Sequence, residues 1–375
     1  MTTGLHTEKE ETMTNPIACD ITMKDVAEFS GVSTATVSRA INTPEKLSPD
    51  TLKKVQQAFR TLGYQYNPLA AAMSRSSSKL IGIMIGNLRE NLALLTLEDV
   101  QAYASKLDYN VLVANSCFDS HTEKKILYNF RQYKTAAVIV IGPGLHCHQH
   151  IRTVLGNDIP HLVLWDSYEK SDNINFIGAT SENVMEQAVS ALVRAGHRRI
   201  GLGMSYYANI RKAHSRIKAF GDILQRLHLP FDEDSLVLLN DEPRLTRSSF
   251  EHGRQIMKQF LEKKHPPTAL ISPMGNMAAG SISYLQEYGL SYPKDMSLVC
   301  LSDDDISSIY YPPLCAVRSQ KEKLFQLVHE FVDGISSAEP QRITCKLRSS
   351  VCRRSSCMPP AKEYREGPVL SPRRA

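Results

Sequence analysis

The 375 residues lack any run approaching the roughly 18 consecutive apolar residues of a membrane span. The opening MTTGLHTEKEETMTNP has neither a basic start nor an apolar stretch behind it, so no secretory signal is written there and a cytoplasmic protein is expected. There are eight cysteines but no CxxC spacing, which fits reduced thiols better than a disulfide framework or a structural zinc site. Cys352 and Cys357, in a basic tail, stand out as the reactive candidates. A Walker loop, a GxSxG elbow, an HExxH pair and a dinucleotide fingerprint are all missing, so no catalytic chemistry is indicated and no cofactor is expected.

Net positive charge is concentrated toward the two ends. The whole chain carries +5, yet residues 21–80 hold 8 basic against 4 acidic side chains and residues 341–375 hold 9 against 2, leaving the body mildly acidic. With 42% apolar and 22% charged residues the composition is that of a folded protein with room for two or three domains.

Residues 1–20 are polar and without period, and read as a disordered leader. Thr22 and Asp25 have the form of a capping box, Val26, Ala27 and Phe29 follow, and Gly31 ends a short helix. Ser33 caps a second helix with Val37, Ala40 and Ile41 inward. Ser48 with Pro49 starts a third, which carries Leu52, Val55, Phe59 and Leu62 and stops at Gly63. Three helices in about forty residues, the first two joined by a tight turn, predict a helix-turn-helix module over 21–66. Asn67 and Pro68 can start a fourth short helix through Met73, and SRSSS closes a hinge and linker over 67–78.

From residue 79 the texture alternates. LIGIMI, NVLVAN, AAVIVI and HLVLW, then RIGLGM, LVLL, TALIS and SLVCLS, are separated by helical periods. Two such series predict two α/β lobes with parallel sheets and a crevice between them over 79–348. From Ser349 the chain is Ser/Arg/Pro-rich; residues 349–375 are read as the end of the body and a basic tail, its last twenty or so residues disordered.

The run TMKDVAEFSGVSTATVSRAIN with SPDTLKKVQQAFRTLGY closely resembles the head of the lac/galactose repressor (LacI/GalR) family. AGHRRIGL, PPTALIS, YPPLCAVR and the spacing of Arg216 and Phe220 resemble its body in family order. The resemblance implies a three-helix DNA-binding domain with a hinge helix, followed by a two-lobed periplasmic-binding-protein-like (type I) body. It implies a ligand-controlled repressor that binds a partly palindromic double-stranded operator as a homodimer.

Specific DNA reading needs short polar side chains on the leading turn of a helix in the major groove, and flanking donors for phosphates. By resemblance Thr34, Ala35 and Arg39 read bases, Arg39 being placed for a bidentate bond to guanine. Thr22, Ser33, Thr36, Ser38, Asn42, Ser48, Thr51 and Tyr64 match phosphate contacts; the bland reading makes the Ser and Thr residues caps and Arg39 a solvated charge. Asn67, Ala70 and Met73 match a hinge helix in the minor groove, with Met73 as the wedge where leucine is usual; the alternative is an alanine-rich linker helix.

The effector positions implied by the family are Asp166, Thr180, Arg216, Phe220, Met274 and Asp303. Here the pattern changes: Thr180-Ser181 stands for Asp-Asn, Met274-Gly275 for Asn-Asp, and Ser302 for the first of two aspartates. Sugar hydroxyls left without acceptors cost roughly 1–3 kcal/mol each, so an ordinary sugar is disfavoured. Arg216 could instead grip a carboxylate or phosphate, as on an anionic sugar derivative, or serve as an ion-pair residue between the lobes.

His146-Cys147-His148-Gln149-His150 could bind zinc or copper if the loop wrapped, but reads first as a solvated loop with no metal. Asp303-Asp304-Asp305 could be a carboxylate site, or more simply a strand-end loop. A small-molecule sensor with weakened DNA binding is the second function these features allow; an enzyme on the two-lobed body would have no catalytic residues to use.

Overall fold

The computed structural model describes residues 21–64, 78–88, 91–144, 146–164, 174–205, 210–239, 249–337 and 342–360. The chain separates into two compact units, Met1–Ala71 and Ala72–Ala375.

In the first unit Thr22 opens α1 (Met23–Ser30) with a complete capping box. The Thr22 hydroxyl accepts from Asp25 N–H, and the Asp25 carboxylate accepts from Thr22 N–H at 2.7 Å. Gly31 ends the helix in the left-handed region (φ 68°), which lets the chain turn into α2 (Thr34–Asn42) behind its Ser33 cap. Ser48 caps α3 (Pro49–Leu62), and Gly63 ends it. These limits agree with the sequence expectation because each cap is satisfied by neighbours three or four residues away. Val26, Ala27, Val37, Val55 and Ala58 form the core, edged by Met23, Val32, Ala40, Phe59, Leu62 and Tyr64.

The second unit builds one topology twice. The first lobe runs β1 (Leu80–Ile85), α4 (Asn91–Lys106), β2 (Asn110–Asn115), α5 (Ser120–Gln132), β3 (Ala137–Ile141), a short α6 (Cys147–His150) continued by a π turn, β4 (His161–Leu164) and β5 (Asn175–Gly178). The second begins with α7 (Ser181–Arg194), β6 (Ile200–Ser205), α8 (Ile210–Arg226), β7 (Leu236–Leu239) and α9 (Ser249–Leu261). It continues with β8 (Ala269–Ser272), α10 (Gly275–Glu287), β9 (Ser297–Cys300), α11 (Asp305–Ile309) and β10 (Cys315–Ser319). The chain then returns to the first lobe as α12 (Lys321–Asp333) and β11 (Thr344–Lys346), and to the second as β12 (Ser349–Cys352).

The sheets are ordered β2-β1-β3-β4-β5-β11 and β7-β6-β8-β9-β10-β12. Every pairing is parallel except β10 with β12. Ile81, Ile83 and Ile85 of β1 face α4 and α12, whereas Met84 faces the opposite layer with Phe130 and Ile151. Burial on both faces is why these strands read as unbroken apolar runs.

The sequence reading leaves out β5, β10, β11, β12 and α12. Leu324, Val328, Phe331 and Val332 have helical spacing along α12, but only the fold shows that they complete the first lobe's core. The described residues run through Pro360, and Ser356 is fully buried because residues beyond β12 fill hydrogen bonds of β9 and β10.

α9 and α10 touch backbone to backbone through two glycines. A Cβ on Gly253 would lie 1.9 Å from Met277 O, and one on Gly280 would lie 1.9 Å from Phe250 O. Gly253→Ala must push the helices apart in a packed core, so it should lower unfolding stability by about 2 kcal/mol or more, read as a fall in the urea midpoint without a change in slope.

Candidate DNA-facing helix and interlobe crevice

α2 is fixed to its unit by Val37, which is fully buried, with Ala40 beside it. At 100° per residue this places Ala35 and Arg39 on the opposite side, with Ser38 and Thr34 along its flank. Thr34, Ala35 and Arg39 are exposed and Ser38 is half-buried. The Ser33 hydroxyl accepts from Thr36 N–H at 3.2 Å and lies 2.9 Å from the Thr36 hydroxyl. No acidic side chain occupies the first turn of α2, so its positive end is left available to an anion such as a phosphate.

Ser48 makes the same local pair with Thr51, hydroxyl to hydroxyl at 2.8 Å. Thus Thr22, Ser33, Ser48 and their partners are caps in this structure. A cap at a helix start is also where a phosphate would sit, so the two readings share one place. Tyr64 packs its ring on Phe59 with centroids 5.1 Å apart. Asn42 ends α2, but its side chain, and Asn67, Ala70, Met73 and Asp166, lie outside the described residues.

In the body, three segments cross between the sheets at 178–181, 319–321 and 346–349, all at the carboxyl ends of the parallel strands. The third is bonded to the other two. Leu347 N–H donates to Gly178 O at 2.9 Å, and Arg348 N–H to Gln320 Oε1 at 3.2 Å. Ser349 N–H donates to Asn183 Oδ1 at 2.8 Å, in the first turn of α7. In both sheets the chain reverses its order beside the first strand, between β1 and β3 and between β6 and β8; ligands of open parallel sheets bind outside the carboxyl ends at such points.

The comparisons agree with both units. The family described as bacterial regulatory proteins, lacI family, matches residues 22–67, and the periplasmic binding protein-like domain matches residues 189–357. The chain belongs to the LacI family. It is 25% identical to the HTH-type transcriptional repressor CytR of Escherichia coli (strain K12) over 303 residues, covering 81% of this chain and 86% of that protein. It is 26% identical to the HTH-type transcriptional repressor PurR of Yersinia pestis bv. Antiqua (strain Antiqua) over 354 residues, 92% of this chain and 99% of that one. Among solved structures, the lac repressor dimer bound to operator and the anti-inducer ONPF superposes with a TM-score of 0.72 at 24% identity, covering 90% of this chain and 99% of that chain.

Within this LacI-family body the expected effector residues part company. Phe220 is 0% exposed and packs edge-on against Phe231 at 5.9 Å in the second lobe's core. It is a core residue and presents no surface to a ligand, which corrects the sequence reading. Asp303 is ion-paired: one oxygen accepts from Arg318 at 2.6 Å and the other from Arg354 at 2.7 Å, and the two guanidinium groups hold its carboxyl below the usual range against the opposing effect of burial. Thr180 is the cap of α7, accepting from Asn183 N–H at 3.2 Å. Arg216 lies half-buried on α8, and Met274 stands half-buried before α10.

Asp304, unassigned by the sequence, takes over part of the altered pattern. One of its oxygens accepts from Gly275 N–H at 3.0 Å, and the other from Ser307 N–H at 2.9 Å, so one carboxylate caps α10 and α11 together. A Cβ on residue 275 would come within 2.3 Å of that carboxylate. A side chain at 275 would therefore require the Asp304 carboxylate to turn away from the α10 start.

The His-rich segment is also not a solvated loop. Cys147 and His148 are buried in α6, and among the described residues no group of three or more His, Cys, Asp or Glu gathers as metal ligands. His150 Nδ1 instead lies 3.9 Å from Glu123 Oε2. Glu123 is fully buried at the start of α5, accepts from Gly144 N–H at 2.7 Å, and is pushed up to about 7 by burial. Burial lowers His150 as well, so the uncharged forms of both are favoured despite their proximity.

Below the ordinary value of 4.5, Glu123 is protonated whether folded or not; between 4.5 and about 7 only the folded chain keeps the proton, so its burial costs stability as pH rises through that window. Glu123→Gln should therefore raise stability at pH 8, by on the order of 3 kcal/mol. Near pH 4 the variant and the parent should melt together; thermal melts across this range decide it.

Proposed function

We propose that this LacI-family regulator is a ligand-controlled repressor whose paired heads read a partly palindromic operator. The observation that carries the reading is the outward face of α2: Thr34, Ala35 and Arg39 exposed along a helix pinned by Val37, with no acid in its first turn. In this role Arg39 reads a guanine edge, Thr34 and Ala35 fit the neighbouring bases, and the capped starts of α1, α2 and α3 meet phosphates. Asn67, Ala70 and Met73 are assigned to the minor groove, where Met73 would part a central base step. Two heads are needed because a net +4 over 21–80 gives each one little nonspecific affinity. CytR and PurR are named as transcriptional repressors, which supports regulation rather than catalysis and a place of action on cytoplasmic DNA.

The effector is proposed to be an anionic sugar derivative held in the crevice by Arg216. With Asp303 paired to two arginines, the acceptors that would ring a neutral sugar's hydroxyls are reduced further than the sequence implied, and Phe220 in the core offers no ring face for a sugar to stack on. Closure of the lobes would bend the crossing segments and alter the spacing of the heads.

Selection of random duplexes by the full chain at moderate salt should enrich a dyad-symmetric site; enrichment of none would overturn the repressor reading in favour of a sensor that has lost tight DNA binding. Arg39→Ala should relax preference at one base pair per half-site, at a cost of roughly 1–3 kcal/mol on the best sequence, whereas uniform weakening on all sequences would assign Arg39 to phosphate. A thermal-shift screen of sugars, sugar acids and sugar phosphates should stabilise the body only with anionic members, and Arg216→Ala should remove that shift.

A further inference from the structure

The last described residues form a strap along the second lobe. β12 pairs with β10, and beyond it Leu298 N–H donates to Ser356 O at 3.1 Å. His197 of the AGHRRIGL segment fastens the end: its Nε2 lies 2.8 Å from Met358 O and its Nδ1 2.8 Å from Thr268 Oγ1. Burial lowers this ring to about 4, so it is a neutral clamp.

Ser356 fixes the middle of the strap. Its hydroxyl accepts from Cys315 N–H at 2.6 Å and donates to Leu298 O at 2.6 Å. That placement brings the next residue, Cys357, to the edge of the Cys315–Val299 register, its sulfur 4.0 Å from Leu298 O. Both sulfurs pack on the same apolar cluster. Arg354 N–H donates to Cys315 Sγ at 3.2 Å, while the Arg354 guanidinium holds Leu314 O and Asp303. Neither thiol is among the residues assigned above to DNA or effector.

We propose that Cys315 and Cys357 are a peroxide-oxidisable dithiol whose disulfide clips the strap to β10. Cys357, Ser356 and the Arg354 backbone around Cys315 lower its thiol below the ordinary value, which makes this sulfur the attacking one of the pair. Cys315 itself is 1% exposed, and the half-buried Cys357 marks the side from which a small peroxide can enter.

The Cys315 thiolate attacks one oxygen of hydrogen peroxide. The O–O bond breaks, the released hydroxide takes up a proton equal to the one Cys315 lost, and Cys315 becomes a sulfenic acid. The Cys357 sulfur then attacks the Cys315 sulfur, the S–O bond breaks, and hydroxide leaves as water with the Cys357 proton. Two thiols and one peroxide give one disulfide and two waters. Because β12 directly follows the crossing at 346–349, the clip anchors the far end of one segment that lobe closure must bend.

The test uses the reduced full-length chain, treated with hydrogen peroxide, quenched with an alkylating agent and mapped by peptide mass. A Cys315–Cys357 cross-linked peptide, lighter by two hydrogen atoms than its reduced parts and restored by dithiothreitol, is expected. Cys357→Ser, checked for folding by circular dichroism, should lose the cross-link, while Cys352→Ser should form it as the parent does. Oxidation confined to exposed Cys117, or a cross-link through Cys352, would overturn the proposal. The oxidised parent should also melt higher than the reduced one, and an unchanged melt would remove the clip.

Discussion

The three crossing segments govern what this body can do, because any movement of one lobe against the other is taken up where the chain passes between the sheets. Those segments are not independent strings. Leu347 and Arg348 bond the third crossing to the other two, and Ser349 bonds it to the first turn of α7. Their backbone groups are thus satisfied inside the hinge itself, and a change at one crossing is felt at the others. Thr180, offered by sequence as a ligand contact, belongs to this arrangement as the cap of α7.

Electrostatics at the carboxyl ends of β9 and β10 follow from the same crowding. Asp303 would carry a large desolvation cost with only 7% of its side chain exposed, and Arg318 and Arg354 offset that cost from two elements. Asp304, one residue on, spends both oxygens on helix starts. Adjacent carboxylates in one DDD run therefore have different work: one ties the strap to the strand ends, the other joins α10 to α11. This is why the crevice cannot be read from a count of acidic residues near it.

The head was legible from sequence because its determinants are local. Thr22 with Asp25, Ser33 with Thr36, and Ser48 with Thr51 each satisfy a helix start within three residues, and Gly31 and Gly63 end helices by their own conformation. The parallel sheets were legible as apolar runs. Less was visible where the partner is distant in the chain: α12 has an ordinary amphipathic period, but its burial against β1 requires the return crossing. Phe220 kept its family spacing from Arg216, yet spacing along a helix does not say which face meets the core.

Sequence alone determined the helix limits of the reading head, the alternation that makes two α/β lobes, and the altered residues at Thr180-Ser181, Met274-Gly275 and Ser302. All rest on interactions within a turn or on periodicity of burial. Only tertiary structure decided that Asp303 is held by two arginines, that Asp304 caps α10 at Gly275, that Glu123 is buried beside His150, and that Cys357 packs on the same cluster as Cys315. Each of these depends on groups 15 or more residues apart, brought together by sheet order and chain crossing, and no local pattern encodes that proximity.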